Sequence, residues 1–590
     1  MGVPRFHGSY IRRLPRPYQV TRHGFHPMRR NEGLNLDFNG IAHWARNYTY
    51  ASGPFETPDN VARVERSTQK ELRDFQFKLT VYKLEEIIHQ TKPRIYIHLA
   101  IDGVAPLAKM SQQGQRRRRV LAGEAEVVSA YEDRNAITPG TEFMFELDAY
   151  IRRWFTDNQN QPWMPPIVVF SGHTVPGEGE HKILEAMRNP PEILRGAMER
   201  TSGDHVVYGL DADLYMLMLL SPLTARGKSI LLMREDVEDV ASIHALARYI
   251  TDRFPNWSHE DAIKTFVVAL FLVGNDFLPH GKMFHDMAAS INILLDSLSE
   301  PLVKNNRIIR PVLAAWLTRV AEHEWSALVH AHGTQHGGGT RAPISHPDSI
   351  LDAALAPDSE GRARTEEEQR RTYRDLWNAK LTGYAPNTVE QRQQLQVCTE
   401  AYLAGLDWTL GYYLGQPVSQ SYLYPSYYAP MVADLAETAR AGNYAQPAPL
   451  PAPVIPDSQA RIFRQLVAVM PKTSANLLPV PLRPLLVDPD SPVADMMPDR
   501  VVVDLDGTNE EWQGIVLAPM IEWLRMRTSV DDVLLANPTL LNDRKYHQGT
   551  VWTMHKRTSR TEEVPRQPMG ISQSRSQNLK RLSAAFAHAS

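Results

Sequence analysis

Short apolar runs that alternate with helix-like segments are the feature of this sequence that most restricts its fold. Four segments of the first half read as short buried strands: LNLDF (34–38), RIYIHLAID (94–102), PIVVFSG (166–172) and HVVYGLD (205–211). Each is followed by a segment with helical periodicity, such as residues 142–154 and 181–188. Strands that alternate with helices form parallel sheets with both faces covered. The sequence therefore predicts an α/β fold with a parallel sheet covered by helices.

The length and the breaks in composition predict more than one compact unit. The chain has 590 residues, of which 43% are hydrophobic. A chain of this length rarely folds around a single hydrophobic core. Gly, Pro, His and Ser collect around residues 330–349, which is typical of a loop or hinge. The predicted units are an N-terminal domain over 1–330, a linker over 331–375, a second region over 376–555 with a proline-rich connector at 445–456, and a disordered basic tail over 556–590.

The charge balance and the single cysteine exclude several classes of protein. With 64 basic and 67 acidic residues, the chain is not a uniformly basic nucleic-acid coat, although this balance is compatible with a local basic channel. Cys398 is the only cysteine, so the chain contains no disulfide and no cysteine zinc site. The N-terminus lacks a signal-peptide apolar region, and the longest apolar run, residues 266–274, is too short to cross a bilayer. We expect an intracellular protein without a membrane segment.

Acidic residues stand where the predicted strands end. In an open parallel sheet, ligands bind beyond the carboxyl ends of the strands. Four acids stand at the ends of strands, two come just beyond the third strand, and one follows the apolar helix FVVALFLVG. They are Asp37, Asp102, Glu178, Glu180, Asp211, Asp213 and Asp276. A single acid at a strand end is usually a cap or a turn residue, but seven at one edge repel each other and need cations to ionise together.

The chemistry of this acid cluster favours hard divalent ions. Carboxylate sites without cysteine suit ions that prefer oxygen ligands, chiefly Mg²⁺ or Mn²⁺. Two such ions, about 4 Å apart, activate a water and stabilise the leaving oxygen in phosphodiester hydrolysis. The sequence therefore predicts a site with two Mg²⁺ or Mn²⁺ ions.

A basic segment follows Asp102 within twenty residues. On a helix, Lys109, Gln113, Arg116 and Arg117 fall at i, i+4, i+7 and i+8 and share one face, whereas Arg118 and Arg119 lie off it. Three cations and an amide on one face form a phosphate pocket. A solvated basic face or a nuclear-localisation run gives the same pattern. The neighbouring acid favours the phosphate pocket.

Ordered motifs along the chain resemble the 5′→3′ exoribonuclease family, the Xrn/Rat group. They include LNLDFNGIAH (34–43), IDGVAPLAKMSQQGQRR (101–117), FSGHTVPGEGEHKI (170–183), YGLDADL (208–214), FLVGNDFLPH (271–280) and VDLDGTNEEWQGIVLAPMI (503–521). The resemblance implies a PIN-like 5′-nuclease core with a second, mostly helical conserved region. It also implies Mg²⁺-dependent, processive hydrolysis of single-stranded RNA from a 5′-monophosphate. We expect a monomer in the cytoplasm rather than the nucleus; the sequence names no protein partner.

The resemblance also implies roles for individual residues. The family's catalytic, metal-binding acids fall on the seven acids named above, and its 5′-phosphate pocket falls on Lys109, Gln113, Arg116 and Arg117. Its base-stacking histidine falls on His43, and Tyr422 stands at a family tryptophan and is expected to stack as well. The chain departs from the family at Leu107, at Gly114 and at Gln420, which replaces a second tryptophan.

Two other functions are open at this point. A structure-specific flap endonuclease uses a similar acid cluster, but the basic pocket argues against it. An RNA 5′-end-binding or structural protein with weak or no catalysis retains the same fold, but all seven acids are present.

Overall fold

The computed structural model describes most of the chain. The described residues are 6–15, 18, 21–22, 30–123, 132–200, 202–234, 240–284, 286–335, 348–442, 444–445, 450–508 and 513–556. Among these residues, every helix is too short or too polar to cross a lipid bilayer. The predicted tail past Lys556, residues 336–347 of the predicted linker and residues 446–449 of the proline-rich connector lie outside the described residues.

The predicted parallel sheet is confirmed. The strands are β1 (Thr21–Arg22), β2 (Asn31–Asp37), β3 (Tyr96–Ala100), β4 (Ile167–Ser171), β5 (Asp204–Tyr208), β6 (Ser229–Met233), β7 (Val240–Ser242), β8 (Val303–Lys304), β9 (Arg307–Ile308), β10 (Val502–Asp504), β11 (Ile515–Leu517) and β12 (Trp552–His555). The main sheet has the order β1-β7-β6-β5-β2-β3-β4-β12, and β8–β9 and β10–β11 form separate pairs. The strands from β6 to β4 in this order are parallel, whereas β1, β7 and β12 add antiparallel edges.

Helices cover the sheet and build the second region, which is mostly helical as predicted. In the first half they are α1 (Phe6–Ser9), α2 (Asn39–Thr49), α3 (Pro58–Arg66), α4 (Gln69–Thr91), α5 (Leu107–Arg118), α6 (Glu142–Asn158), α7 (Gly179–Arg188), α8 (Glu192–Arg200), α9 (Asp213–Leu219), α10 (Pro222–Ala225), α11 (Ile243–Arg253), α12 (His259–Leu270), α13 (Met287–Asp296), α14 (Arg310–Glu322) and α15 (Glu324–Gln335). They continue as α16 (Ser349–Leu355), α17 (Glu366–Thr382), α18 (Val389–Tyr413), α19 (Val432–Ala441), α20 (Asp457–Val469), α21 (Pro484–Val487), α22 (Trp523–Ala536) and α23 (Pro538–Leu541).

The strands are buried on both faces because side chains alternate across the sheet. Val206 belongs to the apolar cluster under α2, α4 and α6, and its neighbour Val207 belongs to the cluster under α7, α9, α11 and α12. The cluster that contains Val207 continues into α18, where Tyr402 and Trp408 are buried. The sheet core and the second region therefore share one apolar interior.

A third apolar cluster joins α5 to the C-terminal helices. Leu107 and Met110 of α5 pack with Phe463 and Leu466 of α20 and with side chains of α22. Leu107, which stands where the family has Arg, is 2% exposed and faces this cluster. The substitution therefore fills the interface with α20.

The predicted domain boundaries stay predictions. Helix α16 and the start of α17 lie inside the range predicted as a linker, and residues 450–456 lead directly into α20.

The close contact of α5 with α20 predicts the effect of Gly114→Ala. Helix propensity alone favours Ala by about 1 kcal/mol. However, a methyl group on Gly114 would lie 2.5 Å from the Arg118 guanidinium and 3.2 Å from the Ala468 carbonyl oxygen. Because overpacking costs about 1–3 kcal/mol, we expect a lower thermal unfolding midpoint.

The matched control for this variant is Gly8→Ala, at an exposed helical position where the new methyl group meets no atom within 4 Å. That variant should leave the midpoint unchanged or raise it. A midpoint raised by both substitutions would show that the helix contact tolerates a side chain at Gly114.

Candidate active site

The seven predicted acids lie at one edge of the sheet. Each is placed by the end of a strand or by the start or end of a helix. Asp37 is the last residue of β2, Asp102 follows β3, Glu178 and Glu180 begin α7, Asp211 and Asp213 lie at the start of α9, and Asp276 follows α12. Oxygen atoms of Asp37, Asp102 and Glu180 lie within 4.8 Å of one another. The convergence expected from parallel strands is therefore present in the fold.

Lys109 lies among these acids. Its Nζ is 2.5 Å from Asp276 Oδ2, 2.6 Å from Glu178 Oε2 and 3.9 Å from Glu180 Oε1. The amide of Gln112, one helical turn later, donates to Asp276 Oδ1 at 3.2 Å. The first turn of α5 therefore meets the acids directly, where a buried ammonium is stabilised because opposite charge is densest. The role of Lys109 in a phosphate pocket stays a prediction.

Asp102 is held by hydrogen bonds from two elements. The Asn39 amide donates to Asp102 Oδ2 at 2.8 Å, and the backbone N–H of Gly179 donates to Asp102 Oδ1 at 2.8 Å. In return, the N–H of Asp102 donates to Asn39 Oδ1 at 3.2 Å. These bonds fix the carboxylate against the start of α2 and the start of α7.

Burial and mutual repulsion shift the pKa values of the acids. Burial, followed by the charge of Asp102, raises the pKa of Asp37 well above its usual value, and burial with Glu178 does the same for Glu180. Burial and Asp276 raise the pKa of Asp213 to about 7. Burial would also raise the pKa of Asp276, but nearby positive charges, Lys109 first among them, together lower it. The Lys109 ammonium compensates only part of the negative charge of the cluster.

The residues at this edge fit divalent metal ions. The donors are carboxylate oxygens, the ligands that Mg²⁺ and Mn²⁺ prefer. Among the described residues, Asp213 Oδ1 is buried and has no hydrogen-bond partner. A side chain on Gly179 would lie 2.4 Å from Asp37 Oδ1 and 3.4 Å from Asp102 Oδ1, so glycine leaves the space between these two acids open. An oxygen-lined space with excess negative charge is what a hard cation requires.

The other predicted pocket residues lie farther along α5. Gln113 is buried, Arg116 is exposed and Arg117 is half-buried. His43 on α2 lies near both arginines: burial, followed by their charges, lowers its pKa to about 3, so the ring is neutral at physiological pH. The structure therefore brings His43, Arg116 and Arg117 together beside the acids.

Arg118 and Arg119 lie off this face, as the helical spacing predicts. Arg118 is buried against α20, where it donates to the carbonyl oxygen of Ala468 at 2.9 Å. Arg119 donates to the carbonyl oxygen of Gly514.

Comparisons with known proteins agree with this arrangement. The family model described as the XRN 5′-3′ exonuclease N-terminus matches residues 1–236, and the model described as the Xrn1 helical domain matches residues 370–566. This chain belongs to the XRN 5′-3′ exonuclease family.

Its relatives in the family are larger proteins. The chain is 27% identical to 5′-3′ exoribonuclease 1 of Homo sapiens and 25% identical to 5′-3′ exoribonuclease 1 of Saccharomyces cerevisiae. It is 26% identical to 5′-3′ exoribonuclease 2 of Yarrowia lipolytica. The matches cover 90%, 89% and 83% of this chain, but only 34%, 43% and 63% of the respective relatives.

The structure corrects the expectation for Tyr422. Its side chain is 1% exposed, its ring stacks on Trp408 with centroids 5.0 Å apart, and its hydroxyl donates to the carbonyl oxygen of Ala401 at 3.1 Å. A ring enclosed in this way packs the interior and does not stack on RNA. Gln420, the other departure from the family, is exposed and its side-chain oxygen accepts a hydrogen bond from Arg461 at 2.8 Å.

Four further residues at the site were missed by the sequence analysis. Asn39, His181, Lys182 and Tyr412 contact the acids or the backbone that carries them. Two of them stand inside the motif GEGEHKI, next to predicted acids, which was a usable signal. Tyr412 comes from α18, and only the tertiary fold shows its proximity.

Lys182 ties together the elements that carry three of the acids. Its buried Nζ donates to the carbonyl oxygens of Ile101 at 2.6 Å and Gly172 at 2.9 Å. These carbonyls lie at the carboxyl ends of β3 and β4. Burial lowers the pKa of Lys182 to about 7, and Asp102 and Asp148 oppose that shift. The ammonium thus holds the end of β3, the end of β4 and α7 in one arrangement.

This bracing predicts the effect of Lys182→Met. Methionine has a similar length but no donor, so Asp102, Glu178 and Glu180 lose their common anchor. Since residues behind a metal ligand typically contribute about 10- to 100-fold in affinity, we expect Mn²⁺ to bind the variant at least about 10-fold more weakly by calorimetry.

The control is Lys83→Met, which removes another buried lysine, one that pairs with Glu86 at 2.7 Å in α4. Both variants are expected to lower the unfolding midpoint. Unchanged Mn²⁺ affinity in Lys182→Met would show that α7 keeps its place without this ammonium.

Proposed function

We propose that this chain is a 5′→3′ exoribonuclease that hydrolyses 5′-monophosphorylated single-stranded RNA processively with two divalent ions, Mg²⁺ or Mn²⁺. The observation that carries the proposal is the convergence of seven carboxylates at one sheet edge, beside the arginines of α5. The names of the relatives, each a 5′-3′ exoribonuclease, support the reaction and the direction.

The acids at the sheet edge would hold the metal ions. Two divalent ions, when bound, activate a water and neutralise charge on the leaving oxygen. The chain's own part is to hold these acids in place. Asn39 and Gly179 orient Asp102, while Lys109 offsets part of the repulsion between Glu178 and Asp276. Because the carboxylates are buried or half-buried, their charge acts on the scissile phosphate with little screening by water.

The end of α5 would bind the 5′-phosphate. Arg116, Arg117 and Gln113 offer donors for one terminal phosphate, and Lys109 of the same helix contacts the acids. A cap or a triphosphate would bring bulk or charge beyond what these three side chains can pair. The neutral ring of His43 would stack on a base without reading its identity. A fixed spacing between end pocket and acids then sets a step of one nucleotide, and sliding after each cut gives processivity.

Asp213→Asn tests the metal site. The amide keeps the shape of the carboxyl group but removes one buried charge, so we expect RNA decay to fall at least about 100-fold while repulsion in the cluster decreases. The unfolding midpoint should stay the same or rise. Decay is measured on 5′-monophosphate RNA with Mg²⁺, and RNA binding is measured separately with a chelator present.

The control is Asp204→Asn, a buried acid at the opposite end of β5. It should retain decay, and wild-type decay should stop with a chelator and return with Mg²⁺ or Mn²⁺. Full decay by Asp213→Asn would refute the site. RNA binding by the wild type without decay would favour an RNA-end-binding protein, and cleavage of 5′-flap DNA in preference to RNA would favour a flap endonuclease.

Arg116→Ala tests the end pocket. A charge-assisted hydrogen bond contributes about 1.5–3 kcal/mol, so we expect the preference for 5′-monophosphate over 5′-hydroxyl RNA, measured as the ratio of kcat/KM values, to fall about 10-fold or more. Arg119→Ala removes the same charge from a side chain that lies off the pocket face and should leave the ratio unchanged. Lys109→Met should instead reduce decay of both RNAs, since Lys109 contacts the acids. The same ratio of kcat/KM values for the two RNAs in all three variants would contradict the pocket assignment.

A further inference from the structure

Helix α18 of the second region reaches one of the acids directly. The hydroxyl of Tyr412, near the end of α18, donates a hydrogen bond to Glu178 Oε1 at 3.1 Å. Glu178 is 1% exposed and immediately precedes α7. The described part of the second region thus provides a direct hydrogen bond to one of the seven acids, and it comes from the side chain of Tyr412.

The ring of Tyr412 is fixed by its neighbours. It stacks on Trp408, with centroids 5.2 Å apart and planes at 20°, and the centroid of the His181 ring lies 4.1 Å from its own. The edge of Phe277 meets the same ring at 5.4 Å. Trp408 is itself anchored by its indole N–H, which donates to the carbonyl oxygen of Ser419 at 2.8 Å. With the ring enclosed in this way, its hydroxyl has few alternative directions.

The two oxygens of Glu178 are held from two different elements. Lys109 of α5 contacts Oε2 at 2.6 Å, and Tyr412 of α18 donates to Oε1 at 3.1 Å. A carboxylate oxygen has two lone pairs, and one hydrogen bond from a phenol uses one of them. Each Glu178 oxygen therefore keeps acceptor capacity for a cation, and the rotation of the carboxylate is restrained. Without the hydroxyl, the restraint on Oε1 is lost while the ring packing remains.

We propose that Tyr412 is a positioning residue that sets the orientation of the Glu178 carboxylate for divalent-ion binding. This role rests on the proposed function, because it assigns Glu178 to the metal site. It gives the second region a direct part in the site: α18 closes the core and also delivers the donor that orients an acid of the sheet edge. Hydrogen-bond donors behind a carboxylate ligand tune metal affinity in this way. The orientation of the carboxylate decides whether it can accept from the donor and bind the metal ion at the same time.

Tyr412→Phe tests the positioning role in the full chain. Phenylalanine keeps the stack on Trp408 and removes only the donor. We expect Mn²⁺, titrated into the RNA-free protein by calorimetry, to bind about 10-fold more weakly. In RNA decay, kcat at limiting Mn²⁺ should fall while KM for RNA stays the same. Tyr424→Phe is the control, since its buried hydroxyl donates at 2.9 Å to a backbone carbonyl, that of Tyr428, instead of to an acid.

A double-mutant cycle separates orientation of Glu178 from a general effect on folding. If Tyr412 acts through Glu178, Tyr412→Phe weakens Mn²⁺ binding in the wild-type background but has no further effect in Glu178→Gln. Equal losses in both backgrounds, or a loss as large in Tyr424→Phe, would refute the positioning role. So would wild-type affinity in Tyr412→Phe.

The outcome for Tyr412 is distinguishable from that for the proposed function. If the wild type neither binds Mn²⁺ at the acids nor degrades RNA, the proposed function fails. If the wild type does both and Tyr412→Phe behaves identically, only the positioning role fails.

Discussion

The contact between the Lys109 ammonium and the carboxylates of Glu178 and Asp276 is the interaction on which the rest of the site depends. Acids brought to one edge by parallel strands repel each other, and burial strengthens that repulsion because little water screens it. Lys109 offsets part of this energy at a point where α5, α7 and the segment after α12 meet. The fold can therefore assemble an acid cluster that remains short of positive charge, and divalent ions would supply the charge that is missing.

The position of Lys109 depends in turn on the second region. Helix α5 carries Lys109 on the side that faces the acids and carries Leu107, Met110 and Gly114 on the side that meets α20. Gly114 permits close approach, and Arg118 donates to the backbone of α20. Helix α18 then reaches Glu178 from another direction through Tyr412. The main sheet supplies the acids, while α18 and α20 from the other half of the chain hold Glu178 and the helix that carries Lys109.

The sequence predicted the parts of the structure that depend on local pattern and on general rules for parallel sheets. Strands β2 to β5 and the acids that follow them were predicted because parallel strands end at the same edge whatever the loops between them. The antiparallel edge strand β12 was not, because its pairing with β4 joins residues nearly four hundred positions apart. No local signal encodes such a partner. The helical wheel placed Lys109 and Arg116 on one face, but a wheel does not show that one face meets two environments along its length.

The departures from the family follow the same division between local pattern and tertiary contact. Tyr422 was expected to stack on RNA because it stands at a family tryptophan. In the structure its ring packs in the interior against Trp408. Gly405 makes room for it, since a side chain there would collide with the Tyr422 hydroxyl. Leu107 lacks the charge of its family counterpart but faces α20 and not the arginines. In the proposed end pocket, the charge available to a terminal phosphate would therefore be that of Arg116 and Arg117, and the loss at Leu107 changes the helix interface more than that pocket.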